Sequence, residues 1–382
     1  MLNTLENRRE KIVVALIILY FSYYNVITSI LPVNKQWPSV MTVTPALLGI
    51  AITSLLIISY YFMILKDATF YHVFVFVIMV TLVVIATVIS DKALFFSVGI
   101  ALLIQKWEYS KFLKTLLISH IVTMVTVFMV GLTVPGFTLY NPVSHVFSAG
   151  FFNQNGFAFY VALATDLMFV LMWKGNVKIK LLLALIGLAI ATALYFWLHA
   201  YTAVIVILLM LAWLVIFPLL SPLLRRFFVI GIVTFPFFAS LFVVLVTISF
   251  GQSKAVDILN GVMTLRPQYW SWYHEQFGFH LIGQRIEASA KGLNPPENGV
   301  LDGAYFYSLL RQGILAAIIL AGLASNLAKQ LAINLEKNWQ TLGLLGAVFV
   351  SGLPENQLFQ VTFSPVIILA LWALIRGGET NG

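Results

Sequence analysis

The chain has no cysteine, which excludes disulfides, thiolate metal sites and cysteine nucleophiles. Charge is nearly as scarce. Only 9% of residues are charged and 61% are hydrophobic, against roughly a quarter charged in soluble domains. A soluble core of this length needs a charged surface that the sequence lacks. Certain motifs are absent too. No Asp-x-Asp pair occurs, which argues against metal-dependent transfer from a nucleotide sugar, and no G-x-x-x-x-G-K-[ST] loop suggests ATP hydrolysis. With no internal repeat, low-complexity tract or Ser-rich linker, the chain reads as a single domain over 1–382.

What fills the sequence is apolar runs, many reaching the roughly 18 to 20 residues that cross a bilayer. They are too long and continuous for the dyad-alternating strands of an outer-membrane barrel. The expected fold is an all-α, polytopic integral membrane helix bundle. About twelve spans are expected, near 12–31, 43–65, 69–90, 93–105, 115–134, 154–173, 181–198, 202–220, 228–250, 304–325, 339–353 and 361–376. The first run, Ile12 to Leu31, is too long for a signal-peptide core and reads as a retained helix. Placing both termini in the cytoplasm puts Arg8, Arg9, Lys11, Lys66, Lys106, Lys111, Lys114, Lys174, Lys178, Lys180, Arg225, Arg226, Lys329, Lys337 and Arg376 inside. Only Lys35, Lys92, Lys254, Arg266, Arg285 and Lys291 then fall outside, as the positive-inside bias demands. The short fourth span is kept for that reason, since deleting it would turn the following basic loops outward. The net charge of +8 is accounted for by inner loops facing anionic lipid, and nucleic acid is not an expected partner. Pro236 and Pro365 are expected to kink the ninth and twelfth spans.

One long polar interruption, residues 251–304, falls between spans 9 and 10 and reads as a large extracellular loop. Two shorter polar segments, Val134 to Asn153 and Gly352 to Gln360, fall on the same side and are expected to surround one site with it. The loop holds Arg266, Arg285, His274, His280, Glu275, Glu287, Glu297 and Asp302, with the aromatic stretch QYWSWYHEQFGFH from Gln268 to His280. Arginine's planar fork grips phosphate oxygens, and a nearby carboxylate takes the proton of an attacking sugar hydroxyl. Trp270, Trp272 and Tyr273 are candidates to stack on sugar faces or to anchor in the headgroup region. These parts fit a lipid-linked sugar whose diphosphate sits at the membrane surface. The plainer alternatives are arginines solvated or paired with nearby acids, and aromatics that only anchor. The histidines show no ligand spacing, and neither a metal nor another cofactor is expected.

Four stretches resemble the bacterial O-antigen ligase and polysaccharide polymerase superfamily (Wzy-like), particularly Gram-positive exopolysaccharide or capsule repeat-unit polymerases. SAGFFNQNGFAFYVAL, Ser148 to Leu163, is similar to the family's Asn-Pro-Asn segment and following helix, with Gln154 where proline is usual. LRPQYWSWYHEQFGFHLIGQRI, Leu265 to Ile286, resembles its arginine-led aromatic stretch. VLDGAYFYSLLRQGILAAII, Val300 to Ile319, is similar to the His/Asp-Asn-x-Tyr motif opening the helix after the large loop, with Gly303 replacing the usual Asn. SGLPENQLFQ resembles the short Glu-containing loop before the last span. The resemblance implies inverting, metal-independent glycosyl transfer on the outer face of a bacterial cytoplasmic membrane. Glycan on undecaprenyl diphosphate would be joined to the next lipid-linked repeat unit, with other polysaccharide assembly proteins as possible partners. It implies diphosphate binding by Arg266 and Arg285, a general base at Asp302, and a phosphate role for His145, the nearest basic residue to the Asn-Gln-Asn segment.

Two charges stand out independently of the resemblance. Asp166 and Arg311 both fall within expected spans, where an ionisable side chain is costly and should face the bundle interior. Arg311 lies nine residues beyond Asp302 and joins the diphosphate-binding candidates, while Glu275 is the fallback base. The competing readings are an O-antigen-ligase-type glycan transferase and a lipid-linked oligosaccharide transporter.

Overall fold

The computed structural model describes residues 11–20, 22–23, 39–66, 69–134, 139–140, 146–151, 153–287, 291–296, 299, 301–359 and 366–377. Among these residues the secondary structure is helical, with one isolated bridge between Tyr140 and Phe147. The helices are α1 (Lys11–Tyr20), α2 (Ser39–Lys66), α3 (Phe70–Ile89), α4 (Lys92–Leu103), α5 (Tyr109–Thr133), α6 (Gln154–Met172), α7 (Val177–Leu198) and α8 (Tyr201–Ile216). They continue with α9 (Pro222–Ser249), α10 (Lys254–Val262), α11 (Arg266–Phe277), α12 (Ala304–Tyr307), α13 (Ile314–Ile333), α14 (Leu335–Ser351) and α15 (Val366–Gly377). Seven of the described helices, α3, α5 to α9 and α13, are long and apolar enough to cross a membrane. The chain is therefore a helical membrane protein by length and composition. Large apolar side chains such as Phe196, Trp197, Phe238 and Leu241 lie more than half exposed, as lipid-facing residues do.

The chain clusters into two compact units, one of Met1–Ile52 with Leu103–Leu219, the other of Thr53–Leu102 with Leu220–Gly382. In the first, α6 packs against α5, α7 and α8. Its start is set by Asn153, whose Oδ1 accepts the Gly156 N–H at 2.7 Å, so this Asn serves as an N-cap. Midway along α6, Asp166 is fully buried, and neither carboxyl oxygen has a hydrogen-bond partner among the described residues.

In the second unit α13 is central, packed against α9, α14 and α15. The expected tenth span over 304–325 is not one helix. α12 runs for a single turn, Ser308–Gln312 forms a π-helical turn, and Gly313 at φ +91° breaks the chain before α13 begins. Arg311 thus sits in the π turn ahead of the spanning helix instead of two turns inside it. The break is held by a crossing segment. The His280 and Leu281 carbonyls accept the N–H groups of Ile314 and Leu315 at 2.9 and 3.1 Å, and Gln284 N–H bonds the Arg311 carbonyl at 2.9 Å. These contacts satisfy donors that every helix N-terminus leaves open.

The interruption at 251–304 also carries regular structure, since α10 and α11 both lie within it. α4 and α15 have 12 residues each, so they extend about 18 Å, well short of a hydrocarbon core of about 30 Å. Both are largely buried in protein. Pro236 lies buried inside α9, and Pro365 falls outside the described residues.

A Cβ at position 313 would lie 2.6 Å from the Gly283 nitrogen and 2.7 Å from the Ile282 carbonyl carbon. Gly313→Ala is therefore expected to destabilise this unit by on the order of 1–3 kcal/mol. A thermal-unfolding midpoint in detergent equal to that of the unaltered protein would show that the crossing segment yields without cost.

Candidate functional site

Arg266 opens α11 after two consecutive left-handed residues, Thr264 at φ +50° and Leu265 at φ +67°. This turn aims the guanidinium at the loop after α14. There Nε donates to the Pro354 carbonyl at 2.5 Å, while Nη2 lies 3.4 Å from Glu355 Oε1 and 3.7 Å from Asp302 Oδ2. Nη1 donates to the Thr264 hydroxyl. One cation is held between two carboxylates, in a pocket where the Arg266 and Glu355 side chains are 14% and 8% exposed.

Asp302 is placed with equal care. Its carbonyl accepts the Trp270 indole N–H at 2.8 Å, and its Oδ1 accepts Asn356 Nδ2 at 3.2 Å. The next residue, Gly303, adopts φ +92°, and a Cβ there would lie 2.7 Å from the Leu353 carbonyl oxygen and 3.0 Å from the Trp270 ring. The packing thus explains why glycine and not asparagine follows this aspartate. The Ala304 N–H is shared by the Gly352 and Glu355 carbonyls at 2.8 and 2.9 Å, which locks the SGLPEN turn against the start of α12. With a side chain 27% exposed, Asp302 is the most open member of the cluster. Burial first, then the neighbouring Glu355 charge, push its carboxyl up to about 7 against the opposing pull of Arg266.

Two residues of this site escaped the reading of the sequence. Glu355 and Asn356 lie in a segment expected to border the site, Gly352 to Gln360, but neither residue was singled out there. The available signal was a lone acid flanked by proline and asparagine between two apolar runs.

Other candidates fall elsewhere. Trp270 is fully buried, stacked on Phe306 at 5.6 Å, so it offers no face to a sugar and serves to position Asp302. Tyr273 is also buried, its hydroxyl 3.4 Å from the Gly299 carbonyl, and burial, then Asp302, raise its phenol above the usual range. Trp272 is half-buried and packs edge-on against Tyr273 at 4.9 Å. Glu275 is exposed, and its nearest polar contact is the Ser271 hydroxyl at 3.4 Å. Nine residues along α11 from Arg266, it lies about 13 Å down the helix axis and does not join the cluster. His145 falls outside the described residues.

Arg285 and Arg311 form a second basic locus. Arg285 follows Gln284, which bonds the Arg311 carbonyl, so the two arginines sit on neighbouring backbone. Arg285 is exposed and donates from Nε to the Val88 carbonyl at 3.3 Å. Arg311 donates from Nη1 to the Tyr307 hydroxyl at 2.7 Å and lies over that ring, while its Nε is buried without a partner among the described residues. Among the described residues neither forms an ion pair. Nearby, Gln312 Nε2 donates to Asp91 Oδ2 at 2.9 Å.

No family model matches this chain, and no curated protein or solved structure does so either.

Because the folded protein binds the Asp302 proton more tightly than the unfolded chain, the associated stability is complete below the ordinary value of 3.8 and is lost as pH rises through about 7. The thermal midpoint should therefore fall between about pH 4 and about pH 7, with this part of the slope absent in Asp302→Asn. Glu355→Gln removes a charge that raises the Asp302 value, so it should move the fall to lower pH. Identical pH profiles in all three proteins would show that Asp302 does not titrate in this range.

Proposed function

We propose that this protein is a glycosyltransferase of the bacterial cytoplasmic membrane, joining undecaprenyl-diphosphate-linked oligosaccharide repeat units into an exopolysaccharide or capsule. The observation that carries the reading is the cluster of Arg266, Asp302 and Glu355, in which a partly exposed carboxyl is held near neutrality. A group with that affinity exists in both protonation states at physiological pH, as general acid–base work requires. The sequence resemblance supplies the substrate class. The topology that goes with it has about twelve spans, cytoplasmic termini and this cluster on the outer face.

In this scheme the ionised Asp302 takes the proton from the acceptor hydroxyl as its oxygen attacks the donor's anomeric carbon. The bond between that carbon and the phosphate oxygen breaks, configuration inverts, and undecaprenyl diphosphate leaves with the bonding electrons. Arg266 is already committed to two acids, so its part is to hold Asp302 and set its proton affinity. Diphosphate binding passes to Arg311 and Arg285, which lack acid partners among the described residues and so retain unneutralised charge for the leaving group. Trp272 is the remaining aromatic with surface available for a sugar.

Purified protein supplied with a lipid-linked repeat unit, without nucleotide sugar or added metal, should yield a ladder of products. Asp302→Asn should lower the rate about 100-fold or more. Arg311→Ala should weaken turnover more than Arg266→Lys. Full-length polymer from Asp302→Asn would remove that residue from the chemistry.

One observation favours a transporter as the second reading. Asp166 is buried in a candidate membrane helix without a partner among the described residues, and such carboxyls mark proton pathways in transporters. Reconstitution into vesicles carrying the lipid-linked unit distinguishes the two readings, because a transporter would move that unit between leaflets and form no ladder.

A further inference from the structure

α10 follows the membrane helix α9 after only the four residues Phe250 to Ser253. On a helical projection its apolar residues Ala255, Val256, Ile258, Leu259 and Val262 fill one arc, and Lys254, Asp257, Asn260 and Gly261 fill the other. The arc is only partly used by the fold. Val256 and Leu259 are half-buried, while Ile258 and Val262 are 72% and 76% exposed.

A stripe of lipid-facing residues on α9, namely Phe238, Leu241, Leu245 and Ile248, is about half or more exposed and runs toward the end of the helix from which α10 departs. The uncovered edge of α10 is thus placed at the level where a spanning helix leaves the hydrocarbon. A short amphipathic helix tethered there lies flat in the interface, with its apolar edge among the upper acyl chains. Asn260 joins this helix to the candidate site. Its Oδ1 accepts the Gln268 N–H at 3.0 Å and its carbonyl accepts the Leu265 N–H at 2.9 Å, on either side of Arg266.

We infer that α10 is an interfacial membrane anchor, docked through Ile258 and Val262 on the bilayer surface, that holds the Arg266 segment at the membrane boundary. The occupant of the exposed edge is the lipid of the same bilayer that α9 crosses. The inference rests on the membrane span and not on the chemistry proposed above.

The natural absence of cysteine makes the test direct. Ile258→Cys, Val262→Cys and Asp257→Cys are each labelled with an environment-sensitive fluorophore and reconstituted into phosphatidylcholine vesicles, with thermal midpoints confirming that each variant is folded. Labels at 258 and 262 should be quenched several-fold more by doxyl-labelled lipid than the label at 257, and several-fold less by aqueous iodide. Iodide access at 258 and 262 equal to that at 257 would overturn the inference. Shielding from both quenchers would also overturn it, because a protein surface would then cover the edge.

Discussion

Two carboxylates in a partly desolvated pocket repel each other, and burying either without a counter-charge is costly. Arg266 resolves this by standing between Asp302 and Glu355, and much of the surrounding structure serves to bring the three together. The left-handed pair Thr264 and Leu265 turns the chain so that the guanidinium points across to the α14 loop. Gly303 lets the backbone after Asp302 pass beneath Trp270 and Leu353. The shared Ala304 N–H ties the acid-bearing turn to the same spot. Burial first, and then the Glu355 charge, outweigh the pull of that single cation, so Asp302 retains its proton to about 7.

The same arrangement divides the arginines into two kinds. A guanidinium with its donors committed to acids and carbonyls adjusts the field around a neighbouring carboxyl group. One whose Nε is buried without a partner among the described residues, as at Arg311, keeps a charge that no described acid compensates. The π turn at Ser308–Gln312 and the break at Gly313 make that possible, since a continuous α-helix would carry Arg311 into the spanning segment. Backbone that departs from regular helix needs other partners for its N–H and C=O groups, and here the segment from His280 to Gln284 supplies them.

The helical class was legible from composition, because a chain so poor in charge and so rich in long apolar runs has no other way to satisfy its backbone in lipid. The ends of individual spans were less so. Residues 304–312 and the helix that follows read as one largely apolar stretch interrupted at Arg311 and Gln312, yet the first part is buried against protein and the second is long enough to meet lipid. Hydropathy does not distinguish the two, since both environments exclude water. Similarly, α15 is nearly all buried and reads from sequence like any spanning helix.

The local chemistry of the site was legible too, in that an arginine-led aromatic stretch and an isolated aspartate ahead of an apolar run stood out against an uncharged background. Which arginine meets which acid was decided by tertiary structure. Arg266 and Glu355 are 89 positions apart, and no periodicity in sequence relates them. Trp270 looked like a stacking surface because tryptophan serves equally well at an interface and in a core, and only packing against Phe306 chose the core. Sequence by itself determined that this protein is helical, membrane-embedded and sparing with charge, because those properties sum over many residues. The folded chain alone decided which few charges meet, because a salt bridge depends on angstroms between residues distant in sequence.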